Sequence, residues 1–163
     1  MMIKGEDDMR FLTKHFGEIE LGEDKIITFD NGIMGFEDLK KYTILFDIES
    51  GEEPMISWLQ SVEEPELAIP VINPLLIKED YNPTVEDELL NSLGELTDEN
   101  LVVLLSLTVP SDITKTTANL KAPFIINADK KKGCQVIVEN SDYPVKYNIY
   151  DVVLKMKQTK GEI

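Results

Sequence analysis

Along this chain, β-branched, aromatic and aliphatic residues gather into short runs separated by Gly, Pro, Asn and Asp, the pattern of strands rather than of long helices. Eight runs carry it: Ile26 to Phe29, Tyr42 to Ile48, Met55 to Val62, Leu67 to Ile72, Leu101 to Val109, Phe124 to Asn127, Gln135 to Glu139 and Lys146 to Val153. In "YTILFDI", Tyr42, Ile44, Phe46 and Ile48 share one face of an extended chain, with Asp47 on the other, as a half-buried strand requires. One stretch predicts a helix instead. In "NPTVEDELLNSLGEL", Thr84 is placed to cap, Glu86, Asp87 and Glu88 fill a first turn where the helix dipole favours acids, and Gly94 is placed to stop it. Val85, Leu89 and Leu93 recur every four positions and predict one buried stripe.

The punctuation fits the same reading. "ADKKKGC" predicts a hairpin loop with Gly133 free to take a positive φ, and Gly32 and Gly35 in "NGIMGFE" predict a tight turn. In "TANLKAPFIIN", Asn119 can bond neighbouring backbone and Pro123 suits the entry to a strand, so these residues shape a strand. Many short strands without helical crossovers predict an all-β fold: an antiparallel, barrel-like or sandwich-like sheet with one short α-helix. The 163 residues predict a single domain, a length able to bury roughly two thirds of its unfolded surface. Residues 1–10 and 156–163 are expected to be loosely held.

Charge changes the picture more than composition does. The net charge is −15 from 31 acids against 16 Lys and Arg, and residues 42–114 hold 16 of those acids with one base, Lys78. The excess at one end of the chain and the deficit at the other cancel, so the middle carries the whole imbalance. Direct binding of nucleic acid through that middle is disfavoured, because phosphates are held by Lys and Arg. An acidic soluble surface, attraction of a basic partner, or repulsion of a polyanion all remain open. The acidic start "MMIKGEDDMR" lacks the apolar core of a secretory signal, no apolar run approaches the ~20 residues of a membrane span, and the lone Cys134 forms no intrachain disulfide. A cytoplasmic, membrane-free protein is the expectation.

The residues that usually carry chemistry are sparse. His15 and Cys134 are the only residues of their kinds and lie far apart in sequence, so no zinc-ligand spacing arises, and Cys134 reads as a small core residue opening a strand. Gly32 and Gly35 lack the third glycine of a dinucleotide fingerprint and the Gly-Lys-Ser/Thr of a P-loop, and "EDELLNSLGE" has no EF-hand spacing. Glu63, Glu64 and Glu66, with Glu52 and Glu53, offer carboxylate pairs of the sort a glycosidase needs, but in so acidic a chain pairs arise by chance. No cofactor and no metal is predicted. Trp58 reads as a core or rim residue, or as an interface anchor.

Four stretches, in order, resemble the FliW family of flagellar assembly factors: "ITFDNGIMGFEDLKKYTIL" (27–45), "WLQSVEEPELAIPVINP" (58–74), "NLKAPFIIN" (119–127) and "QVIV" (135–138). The resemblance extends from about Glu18 to Asp151. Met34 stands where the family pattern usually has proline, and Phe124 where a smaller aliphatic residue is common. The resemblance implies a protein that is not an enzyme, binds flagellin and, alternatively, binds the RNA-binding translational repressor CsrA, relieving repression of flagellin translation. It implies a monomer when free, with no direct contact to nucleic acid or membrane. The residues expected to face a partner are Glu63, Glu64, Glu66, Asn73, Asp80, Tyr81, Glu86, Asp87 and Glu88. Two other classes stay open from the residues alone: an anionic mimic of nucleic acid, and a small β-fold hydrolase using two carboxylates.

Overall fold

Seven strands close into a barrel. The computed structural model describes residues 8–46 and 56–159, and expectations that fall on residues 1–7, on Asp47, Ile48, Glu52, Glu53 and Met55, and on residues 160–163 lie outside them. The barrel is built from β3 (Ile27–Phe29), β4 (Lys41–Leu45), β5 (Ile56–Ser61), β6 (Ala68–Ile72), β7 (Leu101–Thr108), β9 (Phe124–Asn127) and β10 (Lys132–Gln135). They run in the order β7-β6-β5-β4-β3-β10-β9, and a β7–β9 pairing closes the ring. Every neighbouring pair is antiparallel except β10 with β3. The expected all-β, barrel-like architecture is therefore the observed one.

Three of the four remaining short strands were not legible in the apolar pattern; the fourth lies inside the run Lys146 to Val153. β1 (Asp8–Leu12) and β2 (Glu18–Gly22) pair only with each other. Their turn docks on the barrel where Lys14 N–H donates to Gln60 Oε1 (3.1 Å) and the His15 ring lies 4.1 Å from that of Trp58. Trp58 is thus a half-buried rim residue under a hairpin. β8 (Thr117–Ala118) pairs with both β7 and β11 (Tyr147–Asn148).

The unbroken apolar run of β7 has a physical cause: both of its faces are covered, which removes the pressure to alternate. Leu104 points into the barrel with Phe29, Tyr42, Leu59, Val71 and Phe124. Leu105 and Leu107 point outward into a second core with Ile72, Tyr81, Leu120, Tyr143 and Ile149. Inside the barrel the Phe29 ring meets Tyr42 and Phe124 edge-on at centroid distances of 5.4 and 6.1 Å, the arrangement that aromatic quadrupoles favour. Burial, and secondarily the charge of Glu63, push the Tyr42 hydroxyl pKa up to about 12.

Several expectations about local structure are corrected: the run expected as a strand from Gln135 to Glu139 contributes only Gln135, because β10 ends there. The α-helix is not at Thr84 to Leu93. That stretch forms a 3₁₀ helix over Asp87–Leu93, with Glu86 rather than Thr84 as its N-terminal flank. A three-residue turn aligns i with i+3, so Leu90 and Leu93 face inward while Leu89 turns out and is 45% exposed. Gly94 ends the segment at φ 78°, as a stop signal should. The α-helix, α1 (Tyr150–Thr159), occupies a region expected to be the strand Lys146 to Val153. β11 lasts two residues, after which the Asn148 side chain accepts the Tyr150 N–H at 3.0 Å and caps a helix.

A further correction concerns Gly133. In the hairpin between β9 and β10 the positive φ belongs to Lys131 (55°), whereas Gly133 lies within β10 against Phe29. A Cβ there would come within 2.7 Å of the Phe29 ring, so this glycine is required for packing, not for a turn. Gly32 and Gly35 do turn the chain, at φ 67° and 90°, and a Cβ on Gly32 would meet Glu37 backbone at 2.5 Å. Asn119 also behaves as read: its Oδ1 accepts the N–H groups of Lys121 and Ala122 at 3.0 and 3.1 Å, and Pro123 leads directly into β9.

Candidate partner-binding groove

A concavity lies beside the first half of β7. It arises because β6 pairs with β7 only through Val71 with Ser106 and Ile72 with Leu105, after which Pro74 turns the chain away. The departing chain is held by the Asn73 side chain, which accepts the Leu75 N–H at 3.0 Å, and by a 3₁₀ turn over Pro74–Leu76. A groove of about 600 Å³ opens between this turn and Leu101–Leu104 of β7, within the ~300–1,000 Å³ range of ligand-holding clefts.

Its walls are mostly apolar. Leu75 and Leu101 line it while 55% and 42% exposed, and Leu90 and Leu96 close the far side. Tyr81 lies at its base, stacked on Tyr143 at 5.0 Å, with its hydroxyl donating to Leu120 O at 2.9 Å. Burial, and then the proximity of Tyr143, push that hydroxyl well above the usual tyrosine range, so it stays protonated. The 3₁₀ wall is fastened by Asn127, whose Nδ2 donates to Leu93 O at 2.8 Å and Glu95 O at 3.2 Å. The Asn127 Oδ1 meanwhile accepts from Asp129 and Lys130 N–H. One buried amide ties the groove wall to the β9–β10 hairpin.

The segment that builds the groove, residues 73–101, carries eight acids: Glu79, Asp80, Glu86, Asp87, Glu88, Glu95, Asp98 and Glu99. All are exposed. Its one base, Lys78, sits 2.8 Å from Asp80, and that contact holds the Asp80 carboxyl below and the Lys78 ammonium above their usual pKa ranges.

The structure divides the residues expected to face a partner. Asn73 and Tyr81 line the groove, and Asp80, Glu86, Asp87 and Glu88 lie on the segment that encloses it. Glu63, Glu64 and Glu66 lie at the other end of β6, in the β5–β6 turn. Glu63 has a structural task there, its Oε1 accepting the N–H groups of Lys40 and Lys41 at 2.7 and 2.9 Å, and the Glu64 Oε2 accepts the Glu66 N–H. The groove residues missed from sequence are Leu75, Leu90, Leu96 and Leu101 to Leu104. Their one legible signal is the unalternating apolar run that opens β7.

The Cys134 thiol, half-buried against Leu89 O, is pushed by burial to about 11, which leaves it protonated and unreactive at neutral pH. Among the described residues no three His, Cys, Asp or Glu gather as metal ligands, and no helix is long and apolar enough to cross a membrane.

Fold and groove define a small closed β-barrel with an appended hairpin and an acid-bordered apolar cleft. Residues 10–149 match the family model described as FliW protein. A flagellar assembly factor FliW from Lachnoclostridium phytofermentans is 62% identical over 143 residues, covering 88% of this chain and 92% of that protein. Another, from Lachnospira eligens, is 56% identical over 148 residues, covering 90% and 98%. A crystal structure of the flagellar assembly factor FliW superposes with a TM-score of 0.79 at 32% identity, covering 87% of this chain and 97% of that one. The chain belongs to the FliW family of flagellar assembly factors.

Proposed function

We propose that this protein is a non-enzymatic, cytoplasmic regulator of flagellin supply that binds flagellin and, when flagellin is scarce, binds a CsrA-type translational repressor and relieves its grip on flagellin mRNA. The observation that carries this reading beyond family membership is the segregation of charge: eight exposed carboxylates on residues 73–101 with one base among them. A repressor that holds RNA must present cationic surface. An acidic protein docked beside that surface attracts the repressor and repels the phosphates of its RNA over a Debye length of ~8 Å. Antagonism then needs no overlap with the RNA site.

Docking and repulsion are separate terms, so the test reads both. Glu86, Asp87 and Glu88 changed together to Gln, Asn and Gln, and Glu63, Glu64 and Glu66 changed to Gln, are each titrated against the repressor alone and against its RNA complex. The expected outcome is that one set docks within about twofold, since exposed ion pairs contribute only ~0 to 1 kcal/mol each, yet displaces RNA poorly. If every variant that docks normally also displaces RNA normally, charge repulsion is not the means. Failure of the parent protein to bind either flagellin or the repressor removes the reading altogether.

A further inference from the structure

Val103 occupies an unusual position at the floor of the groove. Ala128 N–H donates to Asn100 O at 2.8 Å, and with the register Leu101 to Asn127 and Val102 to Ile126, the even-numbered residues of β7 exchange hydrogen bonds with β9. The odd-numbered ones turn their backbone groups to the other edge. On that edge Leu105 is paired with Ile72, and the Leu101 N–H is taken by Thr97 O at 3.0 Å. Among the described residues Val103 has no strand beside it on that edge. The position opposite is Pro74, which has no N–H to give and whose carbonyl accepts from Ile77 and Lys78.

We propose that the groove takes an extended, lysine- or arginine-bearing segment of a partner protein as an added strand against the free edge of β7, centred on Val103. The proposal rests on the reading that this groove faces a protein partner, and it names the conformation and chemistry of what enters. A strand would receive the Val103 N–H on its carbonyl and give an N–H to the Val103 carbonyl, satisfying both groups. A helix would keep its own backbone bonded within itself and leave both unmatched. Alternate side chains of an added strand point to opposite sides, one set into the apolar wall at Leu75, Leu90 and Leu101 and the other past the acidic segment. The eight carboxylates of that segment, with Lys78 already held by Asp80, select cationic residues for the second set. A second copy of this chain, at −15, is disfavoured by the same charge.

The probe is a short synthetic peptide alternating lysine and valine, compared with one alternating glutamate and valine and with one of the same lysine and valine content arranged at helical period. The expected result is binding of the alternating lysine peptide alone, with slowed hydrogen exchange at the Val103 amide, a readout that needs no variant. Val103→Pro removes the one donor on the groove edge while leaving the hydrogen bonds to β9 in place, and should weaken binding by about tenfold, as for loss of one backbone hydrogen bond, measured below the variant's own unfolding transition. Tighter binding of the helical-period peptide, or unchanged Val103 exchange in the bound state, overturns the proposal. The two readings are separable. If Leu75→Asp abolishes binding of flagellin or repressor but Val103→Pro does not, docking stands and strand addition falls. If the alternating lysine peptide depends on Val103 while neither protein does, the site stands and the partner assignment falls.

Discussion

Replacing Asn127 with alanine should loosen the groove from within. The side chain is 1% exposed and makes four hydrogen bonds, two donated to Leu93 O and Glu95 O and two accepted from Asp129 and Lys130 N–H. Asp129 and Lys130 are exposed, so water can replace the accepted pair, whereas Leu93 is buried and its carbonyl is stranded. Two donated bonds at ~0.5–1.5 kcal/mol each, with one stranded buried carbonyl at ~1–3 kcal/mol, place the loss near ~3 kcal/mol. Asn127→Asp keeps both acceptor bonds but turns a carboxylate toward two carbonyls, and should be at least as destabilising as alanine. Urea unfolding followed by Trp58 fluorescence gives the magnitude, and hydrogen exchange over residues 90–96 shows whether the groove wall opens before the barrel. An Asn127→Ala protein within ~0.5 kcal/mol of the parent, the ordinary range for an inconsequential surface change, would refute the claim that this amide fastens the wall.

Three further outcomes are expected. Leu89→Asp should unfold within ~0.5 kcal/mol of the parent and Leu93→Asp should lose several kcal/mol, because the 3₁₀ turn exposes the first and buries the second; equal melting points for the two would restore a four-residue stripe. Gly133→Ala should cost ~1–3 kcal/mol by overpacking against the Phe29 ring, read as a drop in melting midpoint absent in Gly35→Ala controls corrected for backbone strain. Cys134 should react with a thiol reagent slowly at neutral pH and faster through about pH 11. Since burial raises its folded pKa from 9.0, its stability contribution is present below pH 9.0 and lost as pH rises through about 11. Rapid labelling of the folded protein at pH 7 would contradict the shielding of this half-buried thiol.

The sequence pattern was legible where one periodicity dominated and misleading where two competed. Strands β3 to β7 and β9 were readable from apolar runs bounded by turn residues, as was the Asn119 device at the entry to β9. The Thr84 to Leu93 stretch fits a four-residue period through Val85, Leu89 and Leu93, but its Leu90 and Leu93 equally fit a three-residue one, and packing beneath Ile125 and Val136 decided for the latter. β11 and α1 share Tyr147 to Val153, where β-branched residues favour a strand until Asn148 caps the chain into a helix. Gly133 shows the limit of local reading: its role depends on Phe29, a residue distant in sequence. The acidic middle was visible as charge, but β6 places its two acidic clusters at opposite ends of a strand, a separation no composition count contains. The groove was invisible because it is the place where β6 stops pairing.

The central claim is that a protein partner docks at the acid-bordered groove beside β7. Hydrogen exchange over the whole chain, with and without saturating flagellin and then with and without the CsrA-type repressor, addresses it directly. The account predicts that at least one of the two partners protects residues 73–81 and 101–104, Val103 included, while residues 61–67 exchange unchanged. Protection confined to the β5–β6 turn around Glu63, Glu64 and Glu66, with none along β7, would contradict it.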